Sequence, residues 1–132
     1  MNRSTLIGIS GGVIAVVAAL IFSRTSPNKT QKTVAQPSLT NQAVEGYTIY
    51  NANCSTCHGL NGAGTNKGPP FVHKIYEPNH HGDASFHQAV KNGVRAHHWP
   101  FGNMPPVPNV SDDDVALIVT YIRELQRANG IR

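Results

Sequence analysis

Cys54-Ser55-Thr56-Cys57-His58 is the stretch that decides how the chain is read. Two thiols three residues apart can each form a thioether with a vinyl group of one haem, and a histidine directly after the second thiol then lies under the iron as its proximal ligand. The motif predicts covalent haem attachment through Cys54 and Cys57, with His58 on the metal. Two other uses of paired cysteines lack what they need. A thioredoxin-like dithiol wants a βαβ setting, and a structural zinc site usually draws on four Cys or His ligands at regular spacing. The chain has only two cysteines, and neither pattern accompanies them.

Just before the motif, Ala43, Tyr47, Tyr50 and Cys54 fall at i, i+4, i+7 and i+11, so one face of a helix opening at Asn41 leads into it. The C-terminal end supplies a second strong helix. Ser111 is a good N-cap, Asp114 takes the capping-box position, and Asp112 and Asp113 suit the positive end of the helix dipole. Val115, Ile118, Val119, Ile122 and Leu125 form an apolar stripe, with Arg123 and Arg127 near the far end and Gly130 beyond it. A shorter helix is predicted over about Ala84 to Asn92, ended by Gly93. The remainder is rich in Gly, Pro, Asn and His, with no alternating run that reads as a strand. The prediction is an all-α domain over 41–132. So short and loop-rich a domain buries little apolar surface by itself, and a covalently held haem would supply the missing core.

The second axial ligand has a short list of candidates. Thioether sulfur is a soft ligand suited to haem iron, and the chain has two methionines, Met1 and Met104. Met1 lies ahead of the apolar N-terminal run described below, so any methionine ligand is Met104. Pro105 and Pro106 would stiffen the loop presenting it. The other reading is a hydrophobic plug, the commoner use of methionine. Trp99 could pack on the haem edge or donate its indole N–H to a propionate, or simply pack as an amphipathic side chain. Phe71 and Phe101 read as walls of the pocket.

From Leu6 to Phe22 the sequence LIGISGGVIAVVAALIF carries no charge. At helical rise it covers ~25 Å, at the short end for a membrane span and longer than a typical signal-peptide core. Cleavage after Ala18 or Ala19 would cut inside the apolar run, so residues 1–22 read as an uncleaved anchor, with a removed signal as the alternative. Arg24, Lys29 and Lys32 follow it, against Arg3 before it, so positive charge does not favour an N-in orientation. Residues 23–40 are polar, include Pro27 and Pro37, and show no apolar period, which predicts a flexible linker. Its root-mean-square span would be roughly 20 to 25 Å.

The formal net charge of +4 comes from the N-terminal third. Residues 1–40 hold four Lys or Arg and no acid, whereas residues 41–132 hold seven of each sign. The domain is near neutral, and no basic helix face or interleaving of aromatics with Arg and Lys points to nucleic acid.

From about residue 41 onward the sequence resembles the class I c-type cytochromes. Gly46 and Tyr50 stand eight and four residues before Cys54, where that family keeps a glycine and an aromatic. Ile118 and Tyr121 are similar to the aliphatic and tyrosine of the last helix that cross against them. Gly68-Pro69 is similar to the family's Gly-Pro, whose proline carbonyl receives the N–H of the proximal histidine. Asn103-Met104-Pro105-Pro106 resembles the methionine loop. The resemblance implies a cytochrome c-like helical fold around one haem c, preceded here by a single transmembrane helix, with His58 and Met104 as axial ligands. It implies a one-electron carrier and not an enzyme, with redox proteins at the membrane as partners and no small-molecule substrate. Because such haems are attached outside the cytoplasmic membrane of bacteria, the domain is expected to face the periplasm. Two alternatives remain: the haem subunit of an oxidase, reductase or dehydrogenase complex, and a haem or copper sensor.

One feature departs from the family pattern. His73, His80, His81, His87, His97 and His98 crowd into 26 residues. The adjacent pairs invite a copper or zinc site, since imidazole suits both metals. Against it, neighbouring side chains usually point apart and no HxxxH pattern is present, so the expectation is surface histidines that shape a docking face or a pH response.

Overall fold

The computed structural model describes residues 33–132. The predicted anchor lies outside these residues, and so does residues 23–32 of the expected linker. Four α-helices run in the order α1 (Asn41–Asn53), α2 (Ser55–His58), α3 (Asp83–Asn92) and α4 (Asp112–Ala128), with 3-10 turns at Leu60–Gly62 and Lys74–Tyr76. The only β pairing among the described residues is a single antiparallel bridge between Val94 and Met104. No helix among them is long and apolar enough to cross a membrane.

The helices form where local chemistry directs. Ser111 caps α4 by accepting from the Asp114 amide, and the Asp114 carboxylate accepts from the Ser111 amide at 3.0 Å, closing the anticipated capping box. Every member of the predicted stripe, Val115, Ile118, Val119, Ile122 and Leu125, is buried. The Gly93 amide bonds to the Ala89 carbonyl and ends α3 with φ near +74°. At α1 the cap is Thr40, one residue before the expected start. Its hydroxyl accepts from the Ala43 amide and donates to Glu124 of α4 at 2.7 Å.

The central packing event is α1 against α4. A Cβ built on Gly46 would lie 2.0 Å from the Leu117 carbonyl oxygen, far inside contact distance, so only glycine allows the helices to meet here. Around that contact Ala43, Tyr50, Tyr121, Ile122 and Leu125 are almost wholly buried, and Tyr47 packs edge-on against Tyr121 with centroids 5.3 Å apart. Phe71 joins this core to the motif. Its ring touches those of Tyr50, His58, Tyr76 and Phe86 at centroid distances of 4.2 to 6.2 Å.

Two features were not among the expectations from sequence. Arg123, expected near the solvated end of α4, is buried. Its guanidinium donates to the Tyr76 carbonyl at 2.7 Å, the His81 carbonyl at 2.6 Å, Gln126 Oε1 at 2.7 Å and Asp83 Oδ1 at 2.8 Å. Gln126, equally buried, donates to the Phe71 and Tyr76 carbonyls. These two side chains satisfy carbonyls of the irregular 71–81 segment that no ladder could reach. The second feature is the end of the expected linker. Val34 and Leu39 pack on the core, and Asn129 of α4 bonds both the amide and the carbonyl of Ala35 at 2.9 Å.

Gly46→Ala forces a methyl into the Leu117 backbone, and overpacking of that kind costs about 1–3 kcal/mol. Denaturant unfolding should show that loss, while Val44→Ala on the exposed face of the same helix leaves the midpoint nearly unchanged. Arg123→Ala should cost about 2–4 kcal/mol, because charge-assisted bonds to partly buried carbonyls are lost. Asp83→Ala should cost much less, since its carboxylate is largely solvated and the ion pair itself is weak. Equal losses in the two variants would show that the ion pair, and not the carbonyl clamp, holds the segment.

Candidate haem site

The cysteines enter as a continuation of α1. The Cys54 amide bonds to the Tyr50 carbonyl at 2.8 Å, and the Cys57 and His58 amides both turn back to the Cys54 carbonyl at 3.1 and 2.9 Å. Cys54, Cys57 and His58 are therefore i, i+3 and i+4 on one short helical turn, the spacing that places side chains on a common face. The turn is tied down behind. Tyr50 Oη donates to the Gly59 carbonyl at 2.7 Å, and Thr65 Oγ1 to the Cys57 carbonyl at 2.6 Å.

His58 is buried, with Nδ1 3.0 Å from the Pro69 carbonyl oxygen. A carbonyl can only accept, so Nδ1 carries the proton and Nε2 keeps its lone pair. The ring also stacks on Phe71, with centroids 4.2 Å apart and planes 23° from parallel. Burial lowers its pKa, against a smaller opposing effect from the Pro69 bond, which favours the neutral ring. Gly68 makes this arrangement possible: a Cβ there would lie 2.8 Å from the Cys57 carbonyl oxygen. The Gly-Pro pair thus passes close behind the motif, and the proline carbonyl meets the imidazole.

Neither cysteine forms a disulfide; Cys57 is exposed and Cys54 half-buried against the core. Burial, followed by the nearby Cys57, pushes the Cys54 thiol up to about 11. A thiol raised in this way is a poor nucleophile at neutral pH, which counts against the dithiol reading.

Met104 stands at the β bridge. Its amide and carbonyl both pair with Val94 at 2.9 Å, and Asn103 Oδ1 accepts from the Ala96 amide at 2.9 Å. The loop from 95 to 103 is closed at its base, with half-buried Met104 at the joint and Pro105 and Pro106 after it. Trp99 within the loop meets His73 edge-on at 4.9 Å and lies over Phe101 at 6.0 Å. Its indole N–H is buried without a protein acceptor; Tyr76 is close enough to feel it but closes no hydrogen bond. Such an orphan donor is costly unless a bound molecule brings an acceptor, and a haem propionate is one. Two thiols on one turn, an imidazole with its lone pair free and an unmet buried donor make a set that fits a haem. The surface hollows of about 310 and 290 Å³, at Val90–Asp112 and around Arg127, include none of these groups.

The histidines divide. His73 Nδ1 accepts from the Ile75 amide at 3.2 Å and caps the turn that follows, and His87 lies 3.3 Å from exposed Asp112. His80, His81 and His98 come together at the surface. Adjacent His80 and His81 do not point apart, contrary to the expectation from spacing: their centroids are 4.7 Å apart. The side chains that the sequence reading missed are Arg123 and Gln126. A signal was present, since they continue the row begun by Val119 at i+4 and i+7.

Among known proteins, the family model described as cytochrome c matches residues 43–126, more than half of the chain. No curated protein and no solved structure matched it. Haem-based electron transfer is the general business of that family. The matched segment runs from the first buried residue of α1 through the motif to Gln126 of α4, and on these grounds the chain belongs to the cytochrome c family and carries haem c bound covalently through Cys54 and Cys57.

Proposed function

We propose that the protein is a membrane-tethered, monohaem class I cytochrome that shuttles single electrons between redox proteins, with His58 and Met104 as axial ligands. The observation that carries this reading is His58, whose Nδ1 is committed to the Pro69 carbonyl directly beside two thiols on the same turn. Bound haem supplies the one-electron ferric/ferrous couple. The chain's own residues hold and protect that couple. The Pro69 bond and the Phe71 face fix the imidazole plane and favour its neutral form. The Val94 bridge and the two prolines restrict Met104, and a fixed second ligand suits a carrier, since a catalytic haem needs an open or easily vacated position. Trp99 offers an N–H to a propionate, and the α1–α4 core behind the motif excludes water from one side of the cofactor.

Residues 6–22 would anchor the chain in the bacterial cytoplasmic membrane with the domain on the periplasmic side. The uncharged run and the lack of a small-residue cleavage site beyond it support the anchor. Residues 23–40 would be the tether. Val34, Ala35, Leu39 and Thr40 contact the domain, so the freely moving part of such a tether would end before Val34.

In the ferric protein near neutral pH, the weak near-infrared band of sulfur-to-iron charge transfer should be present and should vanish in Met104→Ala. The same substitution should lower the reduction potential and admit carbon monoxide to the ferrous haem. Ready carbon monoxide binding by the unmodified protein, or a missing band together with a spectrum that changes in His97→Ala or His98→Ala, would replace Met104 in this scheme. For the tether, washed membranes should keep the protein at high salt and release it with detergent. A mature N-terminus near residues 19–23 and free periplasmic protein would instead identify a removed signal.

A further inference from the structure

We propose that His80, His81 and His98 form a surface site for one divalent late transition-metal ion, Zn(II) or Cu(II), separate from the haem iron. One ring nitrogen of each residue lies within 4.8 Å of those of the other two. His80 and His81 stand in the turn before α3, their own amides both bonded to the Glu77 carbonyl, and His98 stands in the loop closed by the Val94–Met104 bridge. The site therefore joins the turn before α3 to the loop that ends at Met104.

Three observations favour a metal over three solvated imidazoles. The first is tautomer. His81 Nδ1 lies 2.6 Å from the Ile75 carbonyl oxygen, so it must carry the proton, which leaves Nε2 as a lone pair. Metal-ligating histidines almost always donate their other N–H to a carbonyl or carboxylate in this way. The second is spacing. His80 Nε2 and His98 Nε2 are 3.3 Å apart. Two nitrogens bound at zinc–nitrogen length to a tetrahedral ion stand about 3.3 Å from each other. An ion held by both would take the place of the hydrogen bond between these two nitrogens, with the rings turning to aim at it. His81 completes the set, with one ring nitrogen of each of the three residues within 4.8 Å of the others. The third is anchoring. Arg123, buried and fixed by four hydrogen bonds, donates to the His81 carbonyl at 2.6 Å, so one ligand sits on backbone held by the core.

Three imidazoles leave a fourth position for water or another ligand. The donor set is borderline-soft nitrogen with no carboxylate or thiolate, which suits Zn(II) and Cu(II) and disfavours Mg(II) and Ca(II). His97 is close, with its ring 4.3 Å from that of His98, but it is not one of the three whose nitrogens gather within 4.8 Å. The proposal rests on the reading above in one respect, that His98 does not take the sixth position on the haem iron.

The test uses the full-length, haem-loaded protein in detergent, purified without a histidine tag and freed of metal with a chelator. Titration with Zn(II) should give one ion per chain, and Cu(II) should displace it with higher affinity. His81→Ala and His98→Ala should each weaken Zn(II) binding at least ~10-fold while the haem spectrum is unchanged, and His97→Ala should leave the affinity as it was. Binding of equal strength in His98→Ala, loss of binding in His97→Ala, or no retained ion at all would overturn the site. If the variants do not fold, histidine-ring NMR of the unmodified protein decides. Zn(II)-induced shifts at His80, His81 and His98 are expected, and shifts centred on His73 or His87 would refute the assignment.

Discussion

The structure depends on one close approach, the passage of Gly46 across the Leu117 backbone. Because no Cβ intervenes, α1 and α4 meet at backbone distance and enclose Tyr50 and Tyr121, both fully buried. Tyr50 then reaches forward to the Gly59 carbonyl and Phe71 reaches across to His58, so the geometry of the cysteine turn is inherited from the helix crossing. A shift of α1 against α4 would move the thiols and the imidazole together. That is the sense in which packing remote from the cofactor sets the cofactor's environment.

A small chain with so much irregular backbone faces a second difficulty, since loop carbonyls must be satisfied without a ladder. Arg123 and Gln126 meet it from a helix. Five donor contacts to Phe71, Tyr76, His81 and Asp83 come from two side chains one turn apart on α4. Arginine suits this position because its planar fork presents several N–H groups in fixed directions and stays charged when buried. Phe86, over which the guanidinium carbon lies at 5.2 Å, contributes a polarizable face. The clamp fixes the segment that carries Phe71 at one end and the His80–His81 pair at the other. Haem environment and surface histidines are thus supported by the same buried cation.

Near neutrality of residues 41–132 bears on how the domain would meet its partners. Strong single-sign charge steers association over long distances, and the domain lacks it. The proposed attachment to a membrane would answer the same need differently, by raising the local concentration of a carrier beside partners in the same plane.

The linear sequence determined the local elements and the chemistry. The capping box at Ser111, the stripe of α4, the stop at Gly93 and the haem motif each depend on residues within a turn or two of one another, so spacing alone carries them. The all-α class and the choice of Cys54, Cys57, His58 and Met104 as the residues to watch were readable on that basis. Tertiary structure decided what depends on residues far apart in the chain. Arg123 looked like a solvated helix-end charge because its acceptors lie some 40 to 47 positions away in an irregular segment. The end of the linker looked free because its partners on α4 are 84 and 94 positions distant. The crowded histidines were expected to point apart, because His98 comes to His80 across 18 residues only when the loop to Met104 folds back on the turn before α3. Periodicity reports which way a side chain faces on its own element; which groups face it from elsewhere is settled only when the elements pack.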